Sequence, residues 1–153
     1  MWEARLPARD RRYMRKPAES WLAYAHTDLR AAQTLVNQSD LTGVATFHCQ
    51  QCIEKALKAL LVFNGQDVPR IHDLVTLHKR TSEVVMLPIE ATELVQVNDA
   101  YIDTRYPNDT DAASRQVPSE EKTKVFLSLS ENVYEFARAA IRQTPDTKQN
   151  NIT

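Results

Sequence analysis

The sequence is poor in residues that interrupt helices. It contains only two glycines among 153 residues, and several of its seven prolines stand near the ends of apolar runs. A fold with many turns needs more of both, so this scarcity favours long helices over a β fold. We therefore expect an all-α protein, and its length suits one domain with its own core.

The sequence also lacks long apolar runs and a cysteine framework. No stretch of about 18 apolar residues occurs, which argues against a membrane span. Two cysteines give no disulfide framework and fit a reducing compartment, so we expect a cytoplasmic protein. The net charge of −1 offers no overall attraction to nucleic acid or membrane.

The two ends differ in composition from the middle. Residues 1–16 hold six basic and two acidic side chains, which predicts a flexible basic arm able to touch phosphate weakly. Residues 144–153 are polar and follow a Thr-Pro break, which predicts a disordered tail. The folded domain is then expected over residues 17–143.

Several motifs of known chemistry are absent. There is no glycine-rich phosphate loop, no GxSxG and no HExxH. Cys49 and Cys52 have CxxC spacing, but both fall on an apolar helix face and no second ligand pair accompanies them. We therefore expect these thiols to pack in the core, and we predict neither a metal nor a cofactor. His26 and His78 have no evident partner, and His26 is expected to be solvated.

The sequence contains five segments with helical periodicity. They predict an up-and-down four-helix bundle with an additional short helix. The expected helices cover about 17–37, 44–64, 72–82, 89–103 and 119 to just before 145. The second has apolar side chains over an arc of roughly 200°, which is typical of a central helix.

The remaining arc of that helix is polar. It carries His48, Gln51, Glu54, Lys55 and Lys58. Glu54 and Lys58 are spaced for a helix-stabilising pair, so one interpretation is a solvated strip. The other is an anion-receptive groove, in which two lysines hold phosphate and the amide and imidazole add directional bonds.

Asp28 raises a related question on the first helix. It falls within the apolar face of that helix, where an unpaired charge is costly. It is expected either to form an ion pair or to reach water at the edge of the face.

Three segments together resemble the HEPN domain family of prokaryotes. They read WLAYAHTDLRAAQTLV, ATFHCQQCIEKALKALLVFNGQDVPRIHDLVTL and YIDTRYP. The resemblance spans about Trp21 to Arg142. It implies a helical bundle that usually forms a homodimer and is often encoded beside a minimal nucleotidyltransferase, sometimes as a toxin–antitoxin pair. Many members are metal-independent ribonucleases with an Arg-x4–6-His motif, and others are thought to bind nucleotides or RNA.

The sequence departs from the ribonuclease motif. Arg105 occupies the position of the arginine, but no histidine follows it at that spacing. The family's polar core is matched by eight residues, which we predict to bind ligand: Asp28, Gln51, Glu54, Lys58, His72, Asp73, Arg105 and Tyr106. We expect them to line a pocket between the first two helices and the Arg105 turn, or else to form a buried ion-pair network that fixes the bundle.

Three functions follow from this resemblance. The leading hypothesis is a non-catalytic module that binds nucleotide or RNA and partners a nucleotidyltransferase. In it, Lys58 and Arg105 contact phosphate, Gln51 and Tyr106 contact a base or sugar, and Asp28 and Glu54 orient the cations. The alternatives are a divergent ribonuclease that uses Arg105 with His72 or His48, and a purely structural dimerisation module.

Overall fold

The structure, a computed structural model, describes residues 8–105 and 117–142, and it contains five α-helices and no strand within those ranges. The helices are α1 (Ala8–Leu35), α2 (Thr42–Phe63), α3 (Leu74–Ser82), α4 (Ala91–Arg105) and α5 (Glu120–Arg142). The predicted all-α bundle of four long helices and one short helix is confirmed. Each helix within the described ranges is too short or too polar to span a bilayer.

Helix α2 is the centre of the bundle. It packs against each of the other four helices, and α1 and α5 also pack against one another. Ile53, Leu57 and Leu60 are fully buried along it. Full burial of such a side chain contributes about 1.5–3 kcal/mol, so α2 supplies much of the core. Its central position, expected from the wide apolar arc, means that its polar strip must face neighbouring helices.

Helix α1 begins earlier than the sequence predicted. We expected a start near Pro17, since proline is tolerated in a first turn. The helix instead begins at Ala8 and contains Pro17 in its interior. Proline there removes one backbone hydrogen bond and crowds the preceding turn. Packing of Met14 against the core helps to offset that cost.

The two ends of α2 differ in how they are capped. Gly65 follows the C-terminus with φ of 75°, a conformation that glycine adopts without a steric penalty. The Gln66 amide donates to Leu61 O and the Gly65 amide to Val62 O, both at 2.9 Å, which completes a Schellman motif. At the other end the N-cap is Leu41, with no side-chain bond.

Candidate functional site

The α2 polar strip consists of His48, Gln51, Glu54, Lys55 and Lys58. Two buried carboxylates hold this region together. One is Glu54 of the strip, and the other is Asp28, which packs against the strip from α1. Each carboxylate is bonded to one lysine and one histidine. We refer to these two groups as the Asp28 centre and the Glu54 centre.

The Asp28 centre joins α1 to α2. Nδ1 of His48 lies 2.9 Å from Oδ1 of Asp28, and the Lys55 ammonium donates to Oδ2. The same ammonium lies 5.9 Å from the ring centroid of Tyr24. Of the two outcomes considered for Asp28, the structure shows the ion pair, which is how a buried charge in an apolar face is stabilised.

The Glu54 centre lies between α2 and the segment that precedes α3. Lys58 Nζ lies 2.8 Å from Oε1 of Glu54, and Nδ1 of His72 lies 2.9 Å from the same oxygen. The Lys58 ammonium also lies 5.7 Å from the ring centroid of Trp21 on α1. The side chain of Lys58 is 5% exposed, whereas that of His72 is 70% exposed. Lys58 is therefore enclosed by protein, and His72 faces solvent.

Gln50 links the parts of the Glu54 centre, and sequence reasoning missed it. Its Nε2 donates to the His72 carbonyl at 3.0 Å and to Oε2 of Glu54 at 3.3 Å. Its Oε1 accepts from Nε2 of Gln51 at 2.7 Å. Gln50 is fully buried, so these bonds satisfy an amide that would otherwise be costly. Its i,i+4 spacing to Glu54 was the signal that could have identified it.

Asp73 has a structural contact of its own. It is the N-cap of α3, where its side chain accepts from the Thr76 amide at 3.0 Å. Nδ2 of Asn98 on α4 donates to the other oxygen at 2.8 Å, and Oδ1 of Asn98 accepts from the Leu74 amide at 3.2 Å. Burial acts to raise the pKa of Asp73, but the bonds from Thr76 and Asn98 outweigh it and the pKa is lowered. Asp73 thus ties α3 to α4.

Two of the predicted ligand-binding residues lie at the limit of the described chain. Arg105 is the last residue of α4. Tyr106 lies outside the described residues, so the predicted pocket beside the Arg105 turn remains a prediction. The structure brings Gln51, Lys58 and His72 together on Glu54, but Asp28 bonds to His48 and Lys55 instead, and Asp73 caps α3.

The histidines and cysteines outside the strip have structural contacts. Nε2 of His78 lies 2.7 Å from the Ile89 carbonyl, a partner that sequence reasoning missed. Cys49 and Cys52 are both buried in the core, as predicted. Burial raises the pKa of Cys49 to about 11 and raises that of Cys52 further. Neither thiol is therefore an activated nucleophile.

The accessible face of the strip consists of the Lys55 ammonium, the two imidazole rings and the Gln51 amide. The two carboxylates lie beneath, while Lys55 is 25% exposed, His48 is 26% exposed and Gln51 is partly exposed. Asp28 and Glu54 balance Lys55 and Lys58, so the network carries no net charge while both imidazoles are neutral. Because Nδ1 of His48 and of His72 is engaged by a carboxylate, Nε2 of each ring is left for a ligand. This nitrogen accepts a hydrogen bond while the ring is neutral and donates one when the ring is protonated, and protonation also makes the network cationic. Such a surface suits an anionic ligand.

Comparisons with known proteins agree with the resemblance in the sequence. A model of the HEPN domain matches residues 18–140. The crystal structure of TT1696 from Thermus thermophilus matches with a TM-score of 0.68, and the two sequences are 30% identical. The match covers 79% of this chain and 95% of that one. The structure of ST0689, an archaeal HEPN homologue, shares the fold at 23% identity, with a TM-score of 0.61 over 82% of this chain and 98% of that one. No curated protein matches the sequence.

Proposed function

This chain belongs to the HEPN domain family, and from that premise we propose that it is a binding module for a nucleotide or RNA. The observation that carries this proposal is the accessible face of the α2 polar strip. Its carboxylates are buried and bonded, and the surface presents the Lys55 ammonium and two imidazoles that donate hydrogen bonds through Nε2 when protonated. Phosphate is the ligand that such groups prefer.

Within this proposal, the roles of the two lysines change. The sequence suggested Lys58 as a phosphate contact, but its ammonium is buried against Glu54 and Trp21. Drawing it out would leave Glu54 with an uncompensated buried charge, which is costly. We assign the phosphate contact of the strip to Lys55, with protonated His72 as a hydrogen-bond donor. The Gln51 amide donates within the protein, so its oxygen is left to accept from a base or sugar. Arg105 and Tyr106 remain in the proposal as predicted ligand contacts.

Ligand titration tests this assignment. The full chain is titrated with ATP, GTP and a short single-stranded RNA, and the melting temperature and the dissociation constant are measured. We expect a rise in melting temperature at millimolar nucleotide and a roughly tenfold weaker affinity for Lys55→Gln, equivalent to the loss of one charged hydrogen bond. The matched control is Lys79→Gln, which removes one exposed lysine on α3. No shift for any ligand, or equal loss in both variants, contradicts the proposal.

The proposed partners are a minimal nucleotidyltransferase and a second copy of this chain. This part of the proposal rests on family membership, and it includes a toxin–antitoxin-like arrangement in the cytoplasm. Exposed Tyr13 and Tyr24 on α1 supply aromatic surface of the kind enriched in protein interfaces. Co-expression with a nucleotidyltransferase encoded by the adjacent gene is expected to give a complex that copurifies. A monomer in light scattering at micromolar concentration contradicts the homodimer.

A ribonuclease is the second candidate, and one observation favours it. Nδ1 of His72 is held by the buried Glu54 carboxylate while the rest of the ring is exposed. A carboxylate that orients a histidine in this way is a common arrangement in general acid–base catalysis. Incubation with RNA in the presence of a chelator is the test. Cleavage that is lost in both His72→Ala and Arg105→Ala would favour this function, and intact RNA would count against it.

A further inference from the structure

A second polar groove lies between α1 and α5. Its volume is about 700 Å³, and its charged and aromatic lining includes His26, Arg30, Tyr134, Arg138 and Arg142. That size is within the range of small-molecule sites, roughly 300–1,000 Å³. We refer to it as the α1/α5 groove.

The α1/α5 groove is separate from the α2 polar strip. At 100° per residue, His26 and Arg30 each lie roughly 160° around α1 from Asp28. Asp28 faces α2, where it contacts His48 and Lys55. The groove residues therefore occupy the opposite side of α1, facing α5. A variant in the groove on α5 leaves the strip untouched.

Three arginines give the groove its cationic character. Arg138 pairs with Glu135 at 3.1 Å, and their side chains are 43% and 60% exposed, so solvent screens this pair and a ligand can replace Glu135. Arg30 lies 3.5 Å from the Gln33 amide oxygen and has no acidic partner among the described residues. Arg142 likewise has no acidic partner within the described ranges, and its charge acts on Tyr134. Guanidinium groups bind phosphate in a bidentate manner.

An aromatic pair stands beside these arginines. The rings of His26 and Tyr134 have centroids 5.5 Å apart with an interplanar angle of 37°. His48, His72 and His78 each use a ring nitrogen in a bond to an oxygen, but no such bond involves His26 in the described part of the chain. His26 is exposed, so its ring is available to stack with a planar ligand.

Acidic residues limit the charge of the groove but do not reverse it. Glu19 and Glu135 belong to the lining, so three arginines against two glutamates give a net charge of +1 with His26 neutral. Glu131 borders the groove, where it accepts from Nε2 of Gln33 at 3.3 Å. The cations on α5 lie one helical turn apart at Arg138 and Arg142, which suits a single compact anion more than an extended chain.

We propose that the α1/α5 groove is a second binding site, which takes a small phosphate ester with a planar aromatic ring. Arg138 and Arg142 hold the phosphate from α5. The ring of the ligand stacks on His26, which Tyr134 supports from behind. This site is additional to the one proposed on the α2 polar strip, and it does not depend on that site.

Calorimetric titration of the full chain with AMP, inorganic phosphate and adenosine tests the groove. The variant is Arg138→Gln combined with Arg142→Gln. The matched control, Lys79→Gln with Arg80→Gln, removes two exposed cations from the last turn of α3. We expect AMP to bind at least tenfold more weakly to the groove variant and unchanged to the control. In the unaltered protein, AMP is expected to bind more tightly than phosphate or adenosine.

The same titrations contain the results that would overturn the proposal. Equal AMP affinity in the groove variant and the unaltered protein would exclude the site, whatever happens with Lys55→Gln. Equal affinity for AMP and inorganic phosphate would exclude stacking on His26. An equal loss of AMP binding in the control variant would show that the effect comes from the overall charge of the protein and not from the groove. Circular dichroism of each variant checks that the helices are retained.

Discussion

The Asp28 and Glu54 centres have the same components but differ in where their partners lie. Each is a buried carboxylate bonded to a lysine and a histidine. At Asp28 both partners are about one-quarter exposed, whereas at Glu54 the lysine is enclosed and only His72 reaches solvent. The lysine of the first centre can therefore turn to a ligand, but the lysine of the second cannot.

This difference gives the two centres of the α2 polar strip separate roles. The Glu54 centre stabilises the fold, and the Asp28 centre can contact a ligand. The Glu54 centre has additional bonds from Gln50 and Gln51, so its oxygens are well satisfied without a ligand. A buried pair of this kind is sensitive to the loss of one partner, because the other charge is left without compensation. An accessible pair loses less, because water can replace the missing group.

The largest expected effect is at Glu54. Glu54→Gln leaves the Lys58 ammonium enclosed without a carboxylate, so we expect the free energy of unfolding to fall by about 3–5 kcal/mol. Urea denaturation measures this change. In the double variant Glu54→Gln with Lys58→Met, no charge is left behind, and most of the loss should be recovered. A double variant no more stable than Glu54→Gln would show that the uncompensated charge of Lys58 does not cause the loss of stability.

A smaller effect is expected at Asp28, with the matched change Asp28→Asn. Lys55 and His48 can turn to water when the charge is lost, so we expect a decrease of about 1.5 kcal/mol in the free energy of unfolding. The measurement is the same urea titration. A loss as large as that of Glu54→Gln would mean that the two centres do not differ as their exposures indicate.

The smallest effect is expected at Asp73, which lies outside both centres. Asp73→Ala removes the N-cap of α3 and should cost about 1 kcal/mol at neutral pH. Asp73→Asn keeps an N-cap side chain without the charge, so it should cost less. Because the pKa of Asp73 is lowered by folding, its charge stabilises the protein above the ordinary value of 3.8, and this contribution is lost as the pH falls further.

The pH dependence provides the check on Asp73. The difference in unfolding free energy between the unaltered protein and Asp73→Asn should shrink as the pH falls from about 5 to 3. A difference that stays constant over that range would indicate that the charge of Asp73 makes no contribution. The stabilisation by Asp73 would then come from its hydrogen bonds with Thr76 and Asn98 alone.

The sequence was informative wherever periodicity decides the structure. The wide apolar arc of α2 predicted its central position, and the predicted range of 44–64 agrees closely with the observed helix. The start of α1 was not predictable in the same way, because proline is favoured in a first turn and disfavoured in the interior, so Pro17 indicated a start near itself. Packing of Met14 against the core favours the longer helix. The helix preferences of single residues cannot predict such a tertiary contact.

The candidate site was only partly predictable for a similar reason. The strip on α2 follows from spacing alone, but its division into an enclosed and an accessible lysine depends on neighbours. Trp21 covers Lys58, and those two residues are far apart in the sequence. The α1/α5 groove was missed because its arginines lie on two helices whose relative rotation no single-helix pattern specifies. His26 looked solvated, and only the position of Tyr134 gives it a neighbour.

The burial of Cys49 and Cys52 between α2 and α5 also provides an intrinsic kinetic reporter. Ser130 bonds to the Cys49 carbonyl at 3.1 Å, and both thiols are fully enclosed, so an alkylating reagent reaches them only when these helices separate. The alkylation rate then follows the opening equilibrium of the bundle. Any molecule that binds the closed form slows it by the factor 1 + [L]/Kd. Candidate ligands can thus be ranked by thiol protection, without a label and without knowing which site they occupy.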